Sequence, residues 1–146
     1  MKLKYRNSCL LYLDTNVLVA ALRPRHGASN AVLQRMALRQ FRPAVSTALC
    51  LEYDDVLHRP GKVPGYTSQQ ITDFIDSVLS VAREAYIYFR WRPFLRDPND
   101  DLVFECALAA GATHIVTFNR VDFEGVSAFG ITGVTPSDFL HILSSP

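Results

Sequence analysis

The sequence predicts an α/β fold built around a mostly parallel β-sheet. Short continuous apolar runs, typical of strands buried on both faces, alternate with segments whose apolar residues recur at helical spacing. The 146 residues, of which 49% are hydrophobic and 20% charged, suffice for a sizeable core. Neither a linker, a repeat nor a low-complexity segment divides the chain, so we expect one domain over residues 1–146.

Four short apolar segments are predicted to be strands. They are Leu10–Leu13, Ala44–Val45, Tyr86–Phe89 and His114–Phe118. Because helical segments separate them, successive strands are expected to pair in parallel. The carboxyl ends of parallel strands meet at one edge of the sheet, and α/β proteins bind their ligands in the crevice beyond that edge.

Capping residues and apolar spacing predict the helices of the first half. A short helix follows the first strand over residues 17–22, Ser29 is expected to cap a second, and Ser46 or Thr47 a third. The clearest helical pattern follows Thr67, where six apolar residues recur at i, i+3, i+4, i+7, i+8 and i+11. They are Ile71, Phe74, Ile75, Val78, Leu79 and Ala82.

The second half contains two further predicted helices. One runs from Pro98 to Ala110 and is closed by Gly111, the residue type that most often ends a helix. The last begins at Thr135–Pro136 and carries apolar residues on one face. Helices therefore precede or follow every predicted strand, as the α/β class requires.

Charge, cysteine content and hydropathy limit the classes of partner. A net charge of +1 gives no global field for a polyanion, so nucleic-acid binding requires a local basic patch. Cys9, Cys50 and Cys106 lie in apolar runs without metal-ligand spacing, which indicates free thiols in a reducing, cytoplasmic compartment. Because no run approaches the ~20 apolar residues of a membrane span, we expect no membrane association.

Asp14 lies at the carboxyl end of the first predicted strand, where a ligand crevice is expected. Asp is also a good N-cap, so this carboxylate has a purely structural interpretation as the cap of the following helix. The two interpretations are compatible, because a capping residue can also bind a metal ion.

Glu52 falls within the apolar stripe of its predicted helix, three residues after Leu49 and four before Val56. A buried carboxylate without a partner costs several kcal/mol, so it should be paired, protonated or bound to a metal ion. A structural ion pair with an arginine is the alternative. The neighbouring Asp54 and Asp55 point away from the stripe and are expected to be solvated.

A third group of acids, Asp97–Asp101, begins the helix that follows residue 97. Asp97 suits the N-cap, Pro98 the first helical position and Asp100 the third, where an acid favours the helix dipole, so helix initiation can explain the whole group. We adopt that explanation for Asp97 and Asp101. Asp100 differs, because it lies at the top of the buried helical face and can face the strand ends. Glu105 lies outside that apolar face and is expected at the surface.

Three carboxylates that converge on one crevice repel each other unless a cation neutralises them. Oxygen ligands without His or Cys suit Mg²⁺ or Mn²⁺. Such a site suits phosphodiester hydrolysis, because the metal activates a water molecule and stabilises charge on phosphoryl oxygens. The sequence thus predicts metal-dependent hydrolysis by Asp14, Glu52 and Asp100.

Four segments of the chain form a further pattern: Leu13–Leu18, Val45–Thr47 leading to Glu52, Asp97–Asp101 and Ala107–Thr117. In this order and spacing they resemble the PIN domain family, the fold of the VapC-type toxin ribonucleases. The resemblance extends over about residues 10–140. It implies a three-layer α/β/α fold with a central sheet of about four to five strands, and Mg²⁺- or Mn²⁺-dependent cleavage of RNA.

The resemblance also implies roles for individual residues. The acidic ligands of the family match Asp14, Glu52 and Asp100. Asn16 would support Asp14 by hydrogen bonding, and Thr117 would line the site. The subtype resembles the toxin components of toxin–antitoxin pairs, which implies a small antitoxin protein as partner and often a homodimer.

The chain departs from the family pattern at Asn119, where the family often has another Asp. An Asn oxygen can bind a metal ion or a water molecule but carries no charge, which weakens any second metal site. Asp122 follows three residues later, at a spacing that is not the family's. The number of bound metals therefore stays open.

Two arginine-containing segments are candidate RNA contacts. Arg92 and Arg96 belong to a segment in which cations and aromatic side chains alternate, a composition suited to phosphates and bases. Arg23 and Arg25 follow the first helix, near the predicted crevice. The structural alternative is that the aromatic residues are core and the arginines merely exposed.

Two other functions compete with a ribonuclease. A haloacid-dehalogenase-like phosphatase or a receiver domain also uses a strand-terminal Asp, but the phosphatase needs a second Asp where this chain has Asn16. Both also need a lysine near the phosphate, and none of Lys2, Lys4 and Lys62 follows a predicted strand. The other alternative is a PIN fold that binds RNA or protein without catalysis.

Overall fold

The computed structural model describes residues 10–23, 27–85 and 98–144, with residues 10 and 98–103 described by backbone alone. Five strands form one sheet: β1 (Leu10–Leu13), β2 (Arg42–Val45), β3 (Arg83–Glu84), β4 (His114–Val116) and β5 (Thr132–Val134). Their order is β3-β2-β1-β4-β5, and every neighbouring pair is parallel. The predicted parallel sheet is confirmed.

Helices flank this sheet and complete a three-layer α/β/α arrangement. They are α1 (Thr15–Ala21), α2 (Ala28–Ala37), α3 (Thr47–Leu57), α4 (Ser68–Val81), α5 (Pro98–Ala110) and α6 (Pro136–Ser144). A 3₁₀-helical segment, Arg120–Phe129, connects β4 to β5. Helix α2 packs against α1 and α6, whereas α3 packs against α4 and α5. In the described part of the chain, every helix is too short or too polar to span a bilayer.

The strand order places a crevice beside Asp14. Strand β1 is central, the chain first builds β2 and β3 on one side of it, and then crosses to β4 and β5 on the other. The direction of winding therefore reverses between β1 and β4, and α/β folds bind ligands beyond the strand ends at this point. The backbone N–H of Asp14 donates to the Val116 carbonyl at 2.9 Å, which joins the two strand ends.

The core lies on both faces of the sheet. Leu11, Tyr12 and Leu13 of β1 are fully buried, as expected for a central parallel strand. On α6, the ring of Phe139 meets that of Phe41 edge-on, with ring centroids 5.2 Å apart. Packing on both faces of the sheet therefore holds β1 in place up to the residue at which it ends.

Most predicted helix ends agree with the structure. Gly111 has a φ of +70°, and the amides of Gly111 and Ala112 donate to the carbonyls of Leu108 and Ala107, the Schellman pattern that ends a helix. The side chain of Ser46 accepts from the Leu49 amide and caps α3, which decides between the two predicted caps.

The expected cap at Ser29 is wrong. Helix α2 begins at Ala28 with Gly27 at the N-cap, and Gly is itself an accepted residue at that position. Ser29 therefore lies inside the first turn, where its side chain is buried. Its hydroxyl has no hydrogen-bond partner among the described residues.

Two strands of the sheet were not predicted. Strand β3 consists of Arg83 and Glu84, both exposed, so it carries no apolar pattern. Strand β5 (Thr132–Val134) has three residues, of which one is a glycine and one is buried, so it has no apolar run that would identify it as a strand. The predicted strand Tyr86–Phe89 lies outside the described residues.

The N-terminus of α4 provides a test of local stability. Thr67 and Gln70 form a reciprocal capping box, in which the Thr67 hydroxyl accepts from the Gln70 amide at 3.1 Å and the Gln70 side chain accepts from the Thr67 amide at 2.8 Å. We expect Thr67→Ala to lower the free energy of unfolding by about 1 kcal/mol, measured by urea denaturation. Thr67→Ser retains the cap and should match the unsubstituted chain, and equal loss in both variants would contradict this role.

Candidate active site

Asp14 follows β1 and occupies the N-cap position of α1, but its side chain makes no capping hydrogen bond. Instead, its Oδ2 atom accepts a hydrogen bond from the Thr117 hydroxyl at 2.7 Å. Helix capping therefore does not account for this carboxylate. Asp14 is held toward the end of β4, at the crevice that the strand order creates.

Thr117 fixes the direction of that hydrogen bond. It is fully buried at the end of β4, and its Oγ1 atom also accepts from the Asn119 amide at 3.0 Å. A hydroxyl has one proton to donate, so acceptance from Asn119 leaves that proton directed at Asp14. The Asn119 residue itself is exposed.

Glu52 is connected to the same place through Thr15. The Thr15 hydroxyl, at the first position of α1, donates to Glu52 Oε2 at 2.9 Å. Thr15 is buried and directly follows Asp14, so the hydroxyl that binds Glu52 belongs to the residue next to Asp14. Sequence analysis did not single out Thr15, because a threonine at a helix start has ordinary structural roles.

The environment of Glu52 differs from the prediction. The buried residues of α3 are Leu49, Tyr53 and Leu57, and Ala48 is exposed, so the apolar stripe is narrower than expected. Glu52 lies half-buried at the boundary of that stripe rather than within it. The solvated positions expected for Asp54 and Asp55 are confirmed, because both are exposed.

Two buried tyrosines lie behind the carboxylates. Burial, followed by the negative charge of groups that include Asp14 and Glu52, raises the pKa of both the Tyr12 and Tyr53 phenols. The Tyr53 hydroxyl donates to the Leu13 carbonyl, one residue before Asp14. Both phenols therefore stay neutral, and neither adds a negative charge to those of Asp14 and Glu52.

Asn16, two residues after Asp14, has a side-chain oxygen without a hydrogen-bond partner among the described residues. This atom, Oδ1, is buried. A buried acceptor that no protein donor satisfies is suited to a bound water molecule or a cation. The oxygens of Asp14, Glu52 and Asn16 are of the donor type that Mg²⁺ or Mn²⁺ prefers. The hydrogen bond from Asn16 to Asp14 stays a prediction.

The third predicted ligand is placed by backbone alone. Asp100 lies in the first turn of α5, a helix that packs against β1, β2 and β4, but its side chain lies outside the described residues. Asp97 also lies outside them. Among the side chains that are described, no three acidic, histidine or cysteine residues come together as a metal site. The structure thus links Glu52 to the residue that follows Asp14, whereas Asp100 is placed by its backbone alone.

Glu105 is not at the surface, so that expectation is wrong. Its exposed fraction is 4%, so it is buried like the apolar residues beside it. Helix α5 contacts three strands, α3 and the 3₁₀ segment Arg120–Phe129, so more of its circumference is covered than one apolar stripe indicates.

Of the predicted RNA contacts, the structure describes Arg23 alone. It is exposed after the C-terminus of α1 and lines a groove that also includes Thr15 and Asn16. Arg25, Arg92 and Arg96 lie outside the described residues. Asp122 is exposed in the 3₁₀ segment.

Comparisons with known proteins agree with this architecture. The VapBC2 structure from Rickettsia felis, bound to a DNA fragment from their promoter, is similar with a TM-score of 0.60 and 17% identity, over 86% of this chain and 98% of that chain. VapBC-1 from nontypeable Haemophilus influenzae is similar with a TM-score of 0.58 and 17% identity, over 88% and 98%. No curated protein matches the sequence. The PIN domain profile matches residues 11–121, so the chain belongs to the PIN domain family.

Proposed function

We propose that this PIN domain is a metal-dependent endoribonuclease in which Asp14, Glu52 and Asp100 bind Mg²⁺ or Mn²⁺. One observation carries the proposal. The Asp14 carboxylate does not cap its own helix but is held by Thr117 at the reversal of strand order, the position at which α/β folds bind ligands.

Two of the three proposed ligands are held by hydrogen bonds within the chain. The hydroxyls of Thr117 and Thr15 each engage one oxygen of a carboxylate, Asp14 and Glu52 respectively. An ionised carboxylate offers about four lone-pair positions, so each keeps acceptor capacity for a cation. When bound, the metal ion supplies an activated water molecule and stabilises negative charge on the phosphoryl oxygens. Fixed side chains lower the reorganisation that this chemistry requires.

The biological context is proposed from the same family relation. Two of the similar structures are VapBC assemblies, which supports a role as the toxin of a toxin–antitoxin pair with a small antitoxin protein as partner. We propose a homodimer of single-domain chains in the cytoplasm. Cys50 and Cys106 are free thiols, and burial raises the pKa of Cys106 to about 12, as suits a reduced structural cysteine.

The test is cleavage of a circular, mixed-sequence RNA by the purified chain in EDTA, Mg²⁺ or Mn²⁺. A circular substrate has no ends, so any product requires an internal cut. We expect products with either metal and none in EDTA. Cleavage that persists in EDTA would contradict metal dependence, and Mn²⁺ binding without any cleavage would favour a PIN fold that only binds RNA or protein.

A further inference from the structure

A groove of about 430 Å³ extends from the candidate active site along one face of α1. It begins at Thr15 and Asn16, continues past Val19 and reaches Arg23. Thr15 and Arg23 are eight residues apart, which corresponds to about 12 Å along a helix. The groove therefore begins at the two residues that follow Asp14 and extends past the C-terminal end of α1.

Phe118 forms one wall of this groove. Half of its surface is exposed, in contrast to Phe41, Phe104, Phe123 and Phe139, which are buried. Phe118 directly follows Thr117, whose hydroxyl donates to the predicted metal ligand Asp14. Its ring therefore belongs to the residue next to one that contacts the proposed site. An exposed aromatic face beside a polyanion site is suited to stacking on an unpaired base.

Two cations, Arg23 and Lys62, line the same groove, and no carboxylate lies among its described lining residues. Both cations are exposed, and neither forms an ion pair with a residue that the structure describes. Because the net charge of the chain is only +1, this is a local positive patch rather than part of a general basic surface. Its charge is complementary to phosphate groups and unsuited to a basic peptide.

We propose that Phe118, Arg23 and Lys62 form a subsite for single-stranded RNA, in which an unpaired base stacks on Phe118 and adjacent phosphates contact the two cations. The proposal rests on RNA as the substrate and adds where the nucleotides beside the cut phosphate bind. A base must be unpaired to reach a side chain in this way, so the subsite selects single strands over duplexes.

The stacking role is tested by the affinity for a fluorescein-labelled, 12-nucleotide mixed-sequence RNA, measured by anisotropy in an Asp14→Asn background so that the probe stays intact. Phe118→Ala should weaken binding at least about five-fold, as for other base-stacking aromatics. Phe118→Trp should retain the affinity. Tyr66→Ala is the matched control, because Tyr66 is an aromatic residue of similar exposure, 44%, that does not line the groove.

The phosphate contacts are tested by the salt dependence of the same binding. Arg23→Gln and Lys62→Gln should each reduce the slope of log K against log salt by about 0.7, the value for one contact to a single strand. Arg39→Gln is the control, because Arg39 is exposed between α2 and the amino end of β2, at the opposite edge of the sheet. Phe118→Ala should leave the slope unchanged.

Two results would overturn the subsite. One is an RNA affinity that Phe118→Ala leaves unchanged. The other is a groove that binds an antitoxin segment, while Arg23→Gln and Lys62→Gln leave RNA binding unchanged. Cleavage of circular RNA is measured separately on the unsubstituted chain. Loss of the subsite would therefore leave the ribonuclease proposal standing. Conversely, RNA binding that depends on Phe118, without any cleavage, would support the subsite and contradict only the ribonuclease proposal.

Discussion

Replacement of Asp14 by asparagine is expected to lower metal-dependent RNA cleavage by at least about 100-fold. The asparagine oxygen can still accept the hydrogen bond from Thr117, so the substitution changes charge more than geometry. Loss of a residue that merely supports a metal ligand costs about 10- to 100-fold, and loss of the charged ligand itself should cost more. Initial rates on a short RNA with saturating Mn²⁺ give the measurement.

Asp55→Asn is the matched control, because Asp55 is an exposed carboxylate of α3 whose partner is Arg59. It removes the same charge outside the site and should leave the rate unchanged. Asp14→Asn should not lower the free energy of unfolding, because it removes repulsion between neighbouring carboxylates. Equal rates for Asp14→Asn and Asp55→Asn would contradict the assignment of Asp14.

Thr117→Val should raise the Mn²⁺ concentration required for half-maximal cleavage about 10- to 100-fold. Valine has nearly the shape of threonine and suits a fully buried position, but it cannot donate to Asp14 Oδ2. Without that donor, the carboxylate loses a fixed orientation toward the crevice. Partners that orient metal ligands contribute to metal affinity on this scale.

Thr117→Ser provides the rescue, because serine restores the hydroxyl. We expect its Mn²⁺ requirement to lie close to that of the unsubstituted chain, even if loss of a methyl group lowers stability. A purely structural Thr117 would show the opposite: both variants would lose stability and neither would change the Mn²⁺ requirement.

The sequence pattern predicted the features that depend on local spacing. The strand Leu10–Leu13, the helix from Pro98 to Ala110 and its end at Gly111 all follow from runs or caps that neighbouring residues define. The position of Asp14 at a strand end was also predictable, because it needs only the end of one apolar run. Strand β3 (Arg83–Glu84) was not, since its two residues are exposed and carry no apolar pattern, although they pair in parallel with β2.

Interactions between segments that are distant in the sequence could not be predicted from local patterns. Thr117 and Asp14 are 103 residues apart, and their hydrogen bond exists because β1 and β4 are neighbours in the sheet. Glu105 was misassigned for the same reason, because its burial depends on several elements packing around α5. The groove beside Phe118 likewise requires α1, a loop and a strand end to meet.

The measurement that tests the proposed site most directly is Mn²⁺ binding by titration calorimetry to the unsubstituted chain and to Asp14→Asn, Glu52→Gln and Asp100→Asn. If three carboxylates share one ion, each variant should bind Mn²⁺ at least about 10-fold more weakly. Asp101→Asn, adjacent to Asp100 but assigned to helix initiation, should bind as the unsubstituted chain does. Undiminished Mn²⁺ binding by Asp100→Asn, or equal losses in Asp100→Asn and Asp101→Asn, would contradict the three-carboxylate site.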